Sequence, residues 1–413
     1  MQAMGARARA AFDAVRMAPA ATRTAALFAM ADALERNGGA ILAANAGDLA
    51  RGRHGGMAEA MLDRLALDPG RVASMAAAVR QIADQADPVG GEDEHWTRPS
   101  GLDITRVRVP IGVLAVIYES RPNVTADAAA LCVRSGNAVI LRSGSDALAS
   151  ATAIHAALVE GLIMAGLPGD VVQLVATPDR AAVGALLTGL NGAIDLIVPR
   201  GGRSLVARVQ SEARAPVLGH LEGLCHTYLD AAADPEKARR IVLNAKMRRV
   251  TVCGATETLL VDAAAPEMLL RLVAEDLLAA GCVLRGDART CAIVPRATPA
   301  AEVDWTTEYL APILAVRVVD GVAGAIAHIA RHGSGHTDAI VTENAAAAAE
   351  FLDRVDSAIV MHNASTQFAD GGEFGFGGEI GIATGRLHAR GPVGAAQLTT
   401  YKYVVRAVGA VRT

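Results

Sequence analysis

The stretch Val113-Leu114-Ala115-Val116-Ile117-Tyr118 is an unbroken apolar run, and Ala138-Val139-Ile140-Leu141 is a second one a short distance along the chain. Two more apolar runs, Val171 to Val175 and Leu196 to Val198, lie beyond a segment with a helical pattern, Ala147 to Ala165. These runs are short, and apolar residues in them do not alternate with polar ones. Such a pattern is typical of strands buried on both faces of a sheet. Strands that alternate with helices predict a parallel sheet with helices on both sides.

The pattern of short apolar runs restarts after about Cys225. Predicted strands in this part of the chain lie near Leu259 to Val261, Cys291 to Val294, Ile313 to Val318, Ala339 to Val341 and Ala358 to Met361. A chain of 413 residues is also longer than a single hydrophobic core usually serves. We therefore predict an α/β protein with two parallel-sheet domains.

Segments with other patterns flank these domains. From about Ala10 to Asp87 the sequence has the pattern of amphipathic helices, one of them beginning at Pro69. Ile104 to Val109 and Leu398 to Val405 alternate apolar with polar residues, which is the period of a two-sided strand. We predict that these two strands pair into a small β ribbon. Because such a ribbon has open edges, we expect a neighbouring subunit to cover it, and hence a homo-oligomer.

The composition limits the classes of partner. Only 20% of residues are charged and the net charge is -4, so the sequence indicates no basic surface for nucleic acid or anionic lipid. A small metabolite is the expected ligand. Every apolar run is interrupted before it reaches membrane-spanning length, and the N-terminus lacks the pattern of a signal peptide, which favours the cytoplasm and no membrane partner.

The five cysteines form no CxxC pair, so neither a disulfide framework nor a structural zinc site is predicted. Cys225 stands beside His226, but neighbouring residues on a strand point to opposite faces, so a thiol-imidazole dyad there is disfavoured. His336 and Asp338 are interpreted as structural residues, and no metal site is expected.

The segment with the most chemical information runs from Asn244 to Thr258 and contains Cys253 in a loop with Thr and Gly residues. The cations Lys246, Arg248 and Arg249 lie close to it in sequence and could stabilise the thiolate, the form of cysteine that attacks carbon. The alternative is a small cysteine buried in the core. The local sequence does not choose between these two interpretations.

Polar loops follow two of the predicted strands. Asn123 comes after the first, where its side-chain amide could hold an oxyanion formed during attack on an acyl carbon, although from these residues alone an ordinary turn is the better explanation. Arg142, Ser143 and Ser145 come after the second. A cation and hydroxyl groups at the carboxyl end of a parallel strand suit a phosphate.

Glycines mark two further candidate sites. Gly201 and Gly202 follow a strand and precede a helix, so a ligand could approach their backbone, but a tight turn needs glycine too. No GxGxxG dinucleotide-binding motif follows any predicted strand. The glycine-rich stretch from Asn363 to Pro392 is predicted to be a functional loop, whose His388 and Arg390 could meet an anionic substrate.

Taken in order along the chain, these segments resemble the aldehyde dehydrogenase superfamily, and within it the branch that reduces L-glutamyl 5-phosphate. The match covers nearly the whole chain, and its most specific stretches are residues 115–125, 197–202, 363–366 and 387–394. The resemblance implies an aldehyde dehydrogenase-like fold, with a cofactor-binding domain at residues 1–97 and 113–225 and a catalytic domain at residues 226–395. Residues 98–112 and 396–413 would be the oligomerisation strands.

The resemblance also implies roles for individual residues. Cys253 is implied to be the nucleophile, Asn123 the oxyanion-hole amide, and Glu308 the counterpart of the carboxylate that holds the nicotinamide ribose. Arg142 falls where the superfamily usually has a lysine on the adenosine ribose, and Ser145 falls where NAD-preferring members often have a glutamate. A cation without that carboxylate beside it suits a 2'-phosphate, so NADPH is the implied cofactor.

The implied reaction is the NADPH-dependent reduction of L-glutamyl 5-phosphate to L-glutamate 5-semialdehyde and phosphate, through a Cys253 thioester. This is the second step of proline biosynthesis from glutamate, and its product would cyclise to 1-pyrroline-5-carboxylate. The chain would be a stand-alone reductase, with glutamate 5-kinase as a partner that makes its substrate. The cation that the leaving phosphate needs could be Arg121, Lys246, Arg249 or Arg390, and the sequence does not rank them.

Two other functions are left open. One is an oxidative NAD(P)-dependent semialdehyde dehydrogenase, which would need a general base to hydrolyse the thioester. In the superfamily that base would fall near Leu218 to Gly223, where Glu222 lies. The other is a non-catalytic oligomeric protein that kept the fold, which the presence of Cys253, Asn123 and Glu308 disfavours.

Two positions depart from the pattern of the branch. Gln367 stands where arginine is usual, which puts in doubt any carboxylate or phosphate contact carried over to that position. Gly378 stands where alanine is usual before Glu379, a change expected to be neutral.

Overall fold

The structure, a computed structural model, describes residues 1–412, and it describes position 60 by its backbone alone. The chain divides into two compact units. The first unit comprises Met1–Gly219, Gly375–Gly381 and the segment from Val393 to the C-terminus, and the second comprises His220–Phe374 and Ile382–Pro392. Within residues 1–412, no helix is both long enough and apolar enough to cross a membrane.

The helices of the first unit are α1 (Gln2–Met17), α2 (Ala20–Arg36), α3 (Gly38–His54), α4 (Glu59–Leu65), α5 (Pro69–Asp84), α6 (Val124–Arg134), α7 (Leu148–Met164), α8 (Arg180–Leu187) and α9 (Arg203–Glu212). Those of the second unit are α10 (Pro235–Met247), α11 (Glu267–Ala279), α12 (Ala288–Ile293), α13 (Gly321–His332) and α14 (Ala345–Arg354).

The strands, in chain order, are β1 (Glu92–Thr97), β2 (Asp103–Pro110), β3 (Val113–Tyr118), β4 (Ala138–Arg142), β5 (Val172–Leu174), β6 (Leu196–Arg200), β7 (Cys225–Leu229), β8 (Thr256–Asp262), β9 (Val283–Gly286), β10 (Thr298–Pro299), β11 (Ile313–Val319), β12 (Thr337–Val341), β13 (Ile359–His362), β14 (Ile382–Ala383), β15 (Gly391–Pro392) and β16 (Thr399–Arg406).

Local sequence signals set several helix starts. The carboxylate of Asp68 accepts the N–H of Arg71, and Pro69 occupies the first turn of α5, where its missing N–H costs nothing. Asp234 and Pro235 begin α10 in the same way. The predicted start of a helix at Pro69 is thus confirmed.

A four-stranded parallel sheet in the order β5-β4-β3-β6 lies at the centre of the first unit. Every residue of β3 and β4 is buried, as expected for strands in the middle of a helix-covered sheet. This is the sheet that the apolar runs predict, and the observed strand ends differ from the predicted ones by at most two residues. Because β4, β3 and β6 are neighbours, the loops that follow them lie along one edge of the sheet.

The first unit also carries a three-stranded antiparallel sheet, β1-β2-β16. Strands β2 and β16 pair along their whole length, from Asp103 opposite Arg406 to Pro110 opposite Thr399, which confirms the pairing predicted from their alternation. The sequence does not predict β1. Apart from Trp96 its residues are polar, and most are exposed, so they show no apolar alternation.

The second unit contains a seven-stranded sheet in the order β10-β9-β11-β8-β7-β12-β13, and its pairs are parallel. Strands β8, β7 and β12 are adjacent although they are far apart in sequence. Parallel strands all start at the same end of a sheet. The residues just before Cys225, Thr256 and Thr337 therefore lie near one another.

One predicted strand is wrong. The run from Cys291 to Val294 forms the last turn of α12 and the residue after it. Asp287 starts this helix by accepting the N–H of Thr290, and the helix stops at Ile293, two residues before Pro295. A run of four apolar residues is too short to distinguish a strand from a helical turn, and the capping carboxylate decides the outcome.

Candidate active site

Cys253 lies in the turn that precedes β8, and two histidines occupy similar positions before the neighbouring strands. His220 lies a few residues before β7, and His336 directly precedes β12. One side-chain ligand atom from each of the three residues lies within 4.8 Å of the other two. The two imidazole rings are edge to face, with centroids 4.9 Å apart. We refer to His220, Cys253 and His336 as the Cys253 cluster.

The two imidazoles change the acidity of the half-buried thiol. Burial acts to raise the pKa of Cys253, because a thiolate is less stable away from water. The interactions with His336 and His220 outweigh burial and hold the pKa of the Cys253 thiol well below its usual range. Cys253 is therefore much more readily ionised than an ordinary cysteine, and the thiolate is the nucleophilic form.

Each imidazole has a partner outside the cluster. Since a carbonyl oxygen only accepts, His220 donates its Nδ1–H to the backbone carbonyl of Ile382 over 2.6 Å, and Nε2 is the basic nitrogen of that ring. His336 is fully buried, and its Nδ1 lies 2.9 Å from Oγ1 of Thr337 and 3.5 Å from Sγ of Cys225. The Nε2 of His336 is buried and has no hydrogen-bond partner. Both rings are thus fixed in orientation.

Cys225 and its neighbour His226 contact different partners, as expected for adjacent residues of a strand. The Sγ of Cys225 donates to the carbonyl oxygen of Cys253 over 3.1 Å, while Nδ1 of His226 lies 2.7 Å from the carboxylate of Asp338. Burial raises the pKa of the Cys225 thiol well above its usual value. Cys225 therefore supports the turn that carries Cys253.

Gly223 and Glu308 lie beside the same turn. Gly223 packs so closely against Cys253 that a Cβ at position 223 would overlap its carbonyl oxygen. The N–H of Gly223 donates to the Glu308 carboxylate over 3.0 Å. Burial raises the pKa of Glu308, and the negative charges of Cys253 and Glu222 also raise it, whereas the Gly223 hydrogen bond and His220 lower it. The carboxylate of Glu308 is thus held by backbone within electrostatic reach of Cys253.

Lys246, a predicted cation for the phosphate, is fully buried. Its Nζ pairs with the Glu257 carboxylate over 2.5 Å, and the other oxygen of this carboxylate accepts the N–H of Leu310 over 3.3 Å. Burial raises the pKa of Glu257 to about 7, with Lys246 acting in the opposite direction. Lys246 therefore forms a buried ion pair with Glu257. Glu257 in turn accepts the N–H of Leu310 and so fixes the loop that carries Glu308.

Gln367, at the first of the two departures, holds the segment that leads to Cys253. Its Nε2 donates to the carbonyl oxygens of Ala245 and Arg249 over 3.0 Å and 3.2 Å. Its Oε1 lies 3.5 Å from a guanidinium nitrogen of Arg248. Carbonyl oxygens at the end of a helix lack hydrogen-bond donors within the helix, and the Gln367 amide is the donor here. The backbone of Arg249 is fixed in this way, and its side chain is exposed.

The other predicted phosphate ligands lie in loops. Arg390 donates to the carboxylate of Asp356 over 2.8 Å and to its backbone carbonyl over 3.1 Å, while the Nε of Arg390 is buried without a partner. His388 is exposed in the segment between β14 and β15. In the first unit, Arg121 is half-buried in the turn after β3. Any anion that binds Arg390 therefore competes with Asp356.

In the first unit, Asn123 directly precedes α6. Its Nδ2 donates to the carboxylate of Asp127 over 3.0 Å. Burial raises the pKa of Asp127 to about 6, against the Asn123 hydrogen bond and the positive charge of Arg200. The amide that the resemblance assigns to an oxyanion hole is thus bound to a carboxylate one turn further along the chain.

Arg142 ends β4 and is almost completely buried. Its Nη2 donates to the carbonyl oxygen of Pro178 over 3.3 Å, while its Nε is buried with no hydrogen-bond partner. Burial lowers the pKa of Arg142, the carboxylates of Glu119 and Asp146 raise it, and the nearby cation Arg180 lowers it. The guanidinium is therefore surrounded by charges of both signs.

The remaining predicted cofactor ligands lie in the loops after β4 and β6. Ser143 is buried and Ser145 is exposed. The N–H of Gly202, which precedes α9, donates to the carboxylate of Glu119 over 3.0 Å, and a Cβ at Gly201 would overlap the same carboxylate. A carboxylate therefore occupies the start of α9, the position where the sequence indicates that a ligand could approach the backbone.

The sequence reasoning misses both histidines of the Cys253 cluster. His220 lies in the segment where the superfamily's general base is expected, but Glu222 is the residue singled out there. His336 is interpreted as structural. Their positions relative to the strands could identify them, because His220, Cys253 and His336 each come shortly before a strand of the second unit.

Comparisons with known proteins cover both units of the chain. The family model described as "Aldehyde dehydrogenase family" matches residues 1–282 and 285–404. A curated gamma-glutamyl phosphate reductase from Caulobacter sp. (strain K31) is 65% identical over 412 residues, which are 100% of this chain and 98% of the relative. The curated protein of the same name from Hyphomonas neptunium (strain ATCC 15444) is 61% identical over 409 residues, 99% of this chain and 96% of the relative.

Solved structures agree with these matches. The crystal structure of gamma-glutamyl phosphate reductase from Thermotoga maritima is 42% identical, with a TM-score of 0.97 and coverage of 99% of each chain. An acetylating aldehyde dehydrogenase from Geobacillus thermoglucosidasius is 18% identical, with a TM-score of 0.71 over 99% of this chain and 97% of that one, which is a likeness of fold alone. The predicted aldehyde dehydrogenase-like fold is confirmed.

Proposed function

The chain belongs to the aldehyde dehydrogenase family and, within it, to the gamma-glutamyl phosphate reductases, and we propose that it reduces L-glutamyl 5-phosphate to L-glutamate 5-semialdehyde and phosphate with NADPH. This would be the second step of proline biosynthesis from glutamate. The observation that carries the proposal is the Cys253 cluster, in which two histidines lower the pKa of a thiol. The names of the full-length relatives support the choice of substrate.

The proposed reaction begins when the Cys253 thiolate attacks the acyl carbon of the substrate. A carbon–sulfur bond forms, the bond from that carbon to the phosphate oxygen breaks, and phosphate leaves with the electron pair. The acyl group stays on Cys253 as a thioester. The low thiol pKa helps twice, because a weakly basic thiolate is also the better leaving group when the aldehyde is released. His220 and His336 stabilise the sulfur in both steps.

Attack on the acyl carbon places negative charge on its oxygen, and the Asn123 amide is assigned to hold that charge. The same amide donates to Asp127 in the structure. To hold the oxyanion, it must therefore leave the Asp127 carboxylate oxygen and donate to the substrate oxygen instead. Because the pKa of Asp127 is raised to about 6, the neutral acid is accessible near that pH, and a neutral acid competes less for the amide.

The surroundings of Arg142 support the choice of NADPH as the cofactor. Its buried Nε lacks a partner, and an arginine with an unused donor can still bind a phosphate. NADPH, when bound, supplies the hydride that reduces the thioester carbon. We assign Arg142 to the 2'-phosphate. The other proposed cofactor ligands are Ser143, Ser145, Gly201, Gly202 and Glu308.

The leaving phosphate needs positive charge, and we assign this role to loop residues, namely Arg121, Arg249, His388 and Arg390. Arg249 is exposed close to Cys253 in sequence, and Arg390 has an Nε without a partner. Lys246 acts indirectly in this proposal, because its ammonium group is buried against Glu257.

The proposal includes assembly and location. The edge strand β16 exposes about half of each of Tyr401, Tyr403 and Val405 (51%, 54% and 52%), and such an edge favours a homo-oligomer in which a neighbouring subunit covers it. Glutamate 5-kinase is the proposed partner, because an acyl phosphate is labile in water. Five free thiols suit the cytoplasm, where thiols stay reduced.

The direct test is NADPH oxidation with L-glutamyl 5-phosphate generated in the cuvette by a glutamate 5-kinase. We expect the wild type to oxidise NADPH and Cys253→Ala to lose at least about 10³-fold in rate, as when other covalent nucleophiles are removed. The matched control is Cys291→Ala, a half-buried thiol elsewhere in the same unit, which should keep its activity.

The reverse reaction separates the reductase from an oxidative dehydrogenase. A reductase of the acyl phosphate oxidises the semialdehyde with NADP⁺ only when phosphate is present, because phosphate must cleave the thioester. Release of free glutamate without phosphate would show that water cleaves it, and the proposed function would then be wrong.

A further inference from the structure

The Cys253 cluster has the composition of a transition-metal site. Two imidazole nitrogens and one sulfur lie within 4.8 Å of one another, and nitrogen with thiolate sulfur is a ligand set that Zn²⁺ prefers, whereas Mg²⁺ and Ca²⁺ prefer oxygen. Ligand atoms of a tetrahedral zinc site lie roughly 3.5 Å apart. Even if the two nitrogens and the sulfur are as far apart as 4.8 Å, they need to approach one another by only about 1 Å to bind the ion.

His220 is oriented as zinc-binding histidines usually are. Its Nδ1–H donates to the carbonyl oxygen of Ile382 over 2.6 Å, which leaves the lone pair on Nε2. A metal-bound histidine almost always donates its second nitrogen to a carbonyl or carboxylate in this manner, because the hydrogen bond fixes both tautomer and ring orientation.

In His336, Nε2 is the nitrogen that can bind an ion. The side chain is fully buried, its Nδ1 is placed against Thr337 and Cys225, and its Nε2 has no hydrogen-bond partner. A buried polar atom without a partner is costly, and native structures rarely keep one without a reason. A metal ion bound to the imidazole would remove that cost.

The backbone that carries the sulfur is held in place before any ion arrives. The Cys253 carbonyl accepts from Cys225 over 3.1 Å, and Gly223, two residues before β7, packs against the same carbonyl. Ligands on fixed backbone lose little freedom on binding, which favours affinity.

We propose that His220, Cys253 and His336 bind one Zn²⁺ ion, with a fourth position left for water, and that the bound ion reversibly inactivates the protein. Binding forms a zinc–sulfur bond with the Cys253 thiolate and releases to solvent the protons that the three ligands carry. A sulfur bonded to zinc cannot attack an acyl carbon. The inactivation rests on the proposed role of Cys253 as the nucleophile, whereas the metal site itself does not.

The binding test uses the full-length, metal-free protein and Co²⁺, which takes the geometry of Zn²⁺ and gives a thiolate-to-cobalt absorption band. We expect one equivalent of Co²⁺, the thiolate band, and displacement by Zn²⁺. Cys253→Ser should abolish the band, and His220→Asn and His336→Asn should each weaken Zn²⁺ binding by at least about 10-fold in calorimetry. The controls Cys291→Ser and His362→Asn replace a thiol and an imidazole outside the cluster and should bind like the wild type.

Failure to bind Co²⁺ or Zn²⁺, or binding that the three cluster substitutions leave unchanged, would overturn the metal site. Circular dichroism of each variant shows whether it is folded. If a histidine variant does not fold, Cys253→Ser still tests the site, because it changes only one atom of the side chain. An unchanged stoichiometry with the band retained in Cys253→Ser would also assign the metal to other residues.

The activity test keeps the two proposals apart. Zn²⁺ should inhibit NADPH oxidation by the wild type in proportion to occupancy, and a chelator should restore it. Cobalt binding with the thiolate band in a protein without reductase activity would contradict the proposed function and leave the metal site intact. Reductase activity that stoichiometric Zn²⁺ does not inhibit would contradict the inactivation.

Discussion

Gly223 lies directly against the carbonyl oxygen of Cys253, with no space between them for a Cβ atom. The atom in the way is backbone, so it cannot rotate aside as the end of a flexible side chain could. The same glycine donates its N–H to Glu308 over 3.0 Å. A single residue without a side chain thus sets the position of the candidate nucleophile and of a nearby carboxylate.

Gly223→Ala is therefore expected to displace the Cys253 turn. A shift of about 1 Å in reacting groups can cost on the order of 10²-fold in rate, and we expect a loss of this size in kcat/KM for NADPH oxidation. Overpacking should also destabilise the protein by about 1–3 kcal/mol, measured by urea unfolding. The control is Gly39→Ala in α3, where an added Cβ meets no atom within 4 Å. Equal activity of the two variants would contradict the prediction.

The lowered pKa of Cys253 predicts how its alkylation depends on pH. An ordinary thiol of pKa about 8.5 is only about 3% thiolate at pH 7, so its reaction with iodoacetamide slows steeply below pH 8. Lowering the pKa keeps the thiolate as the pH falls, so wild-type Cys253 should react about as fast at pH 7 as at pH 8.5. Mass spectrometry of the Cys253 peptide measures this rate.

In His220→Asn the alkylation of Cys253 should slow as the pH falls below 8, because one of the two imidazoles that favour the thiolate is gone. His362→Asn replaces an exposed histidine outside the cluster and should keep the wild-type profile. A wild-type rate that falls about eightfold between pH 8 and pH 7, as the thiolate fraction of an ordinary thiol does, would show that Cys253 is not activated.

Gln367→Ala should lower kcat/KM, because the carbonyls of Ala245 and Arg249 lose the amide that bonds them. Buried carbonyls without partners cost about 1–3 kcal/mol, and the segment leading to Cys253 becomes less ordered. Gln367→Arg should recover most of the activity, since a guanidinium can donate to the same two carbonyls. If arginine performs no better than alanine, the amide is not acting through these hydrogen bonds.

Arg142→Ala should raise the KM for NADPH much more than the KM for NADH. A hydrogen bond to a charged group contributes about 1.5–3 kcal/mol, which corresponds to roughly 10- to 100-fold. The ratio of kcat/KM with the two cofactors is the measurement, and Arg180→Ala tests the second cation near this position. An unchanged ratio in Arg142→Ala would remove this residue from the 2'-phosphate site.

Lys246→Met should destabilise the protein by about 3–5 kcal/mol, because it leaves the buried Glu257 carboxylate without its cation. The double variant Lys246→Met/Glu257→Gln removes both charges and keeps an acceptor for the Leu310 N–H, so it should regain much of this stability. Urea unfolding provides the comparison. A double variant that is stable but lacks activity would indicate that Lys246 contacts the substrate directly.

Much of the fold follows from local sequence. Strands such as β3 and β4 are short apolar runs because both of their faces are buried, and this pattern is visible without coordinates. The alternation of β2 and β16 likewise predicts their pairing. The predicted strand at residues 291–294 is wrong because a short apolar run has no distinctive period, and the cap at Asp287 makes it helical.

The candidate site is only partly readable in the sequence. The Thr- and Gly-containing loop with nearby cations singles out Cys253, but Lys246, one of the three cations expected near it, is buried against Glu257. Nothing in the sequence around Glu119 indicates that its carboxylate lies at the start of α9 beside Gly202. Sequence proximity does not determine which charges meet, since long side chains can point into the core or out of it.

Local residue patterns are enough to predict two parallel-sheet units, a β ribbon and a cysteine in a polar loop. That His220 and His336 are the neighbours of this cysteine is visible only in the folded chain. Their contact depends on the strand order β8-β7-β12, in which strands far apart along the chain pair side by side. Such pairing is set by the packing of the whole sheet, and no local pattern of residues encodes it.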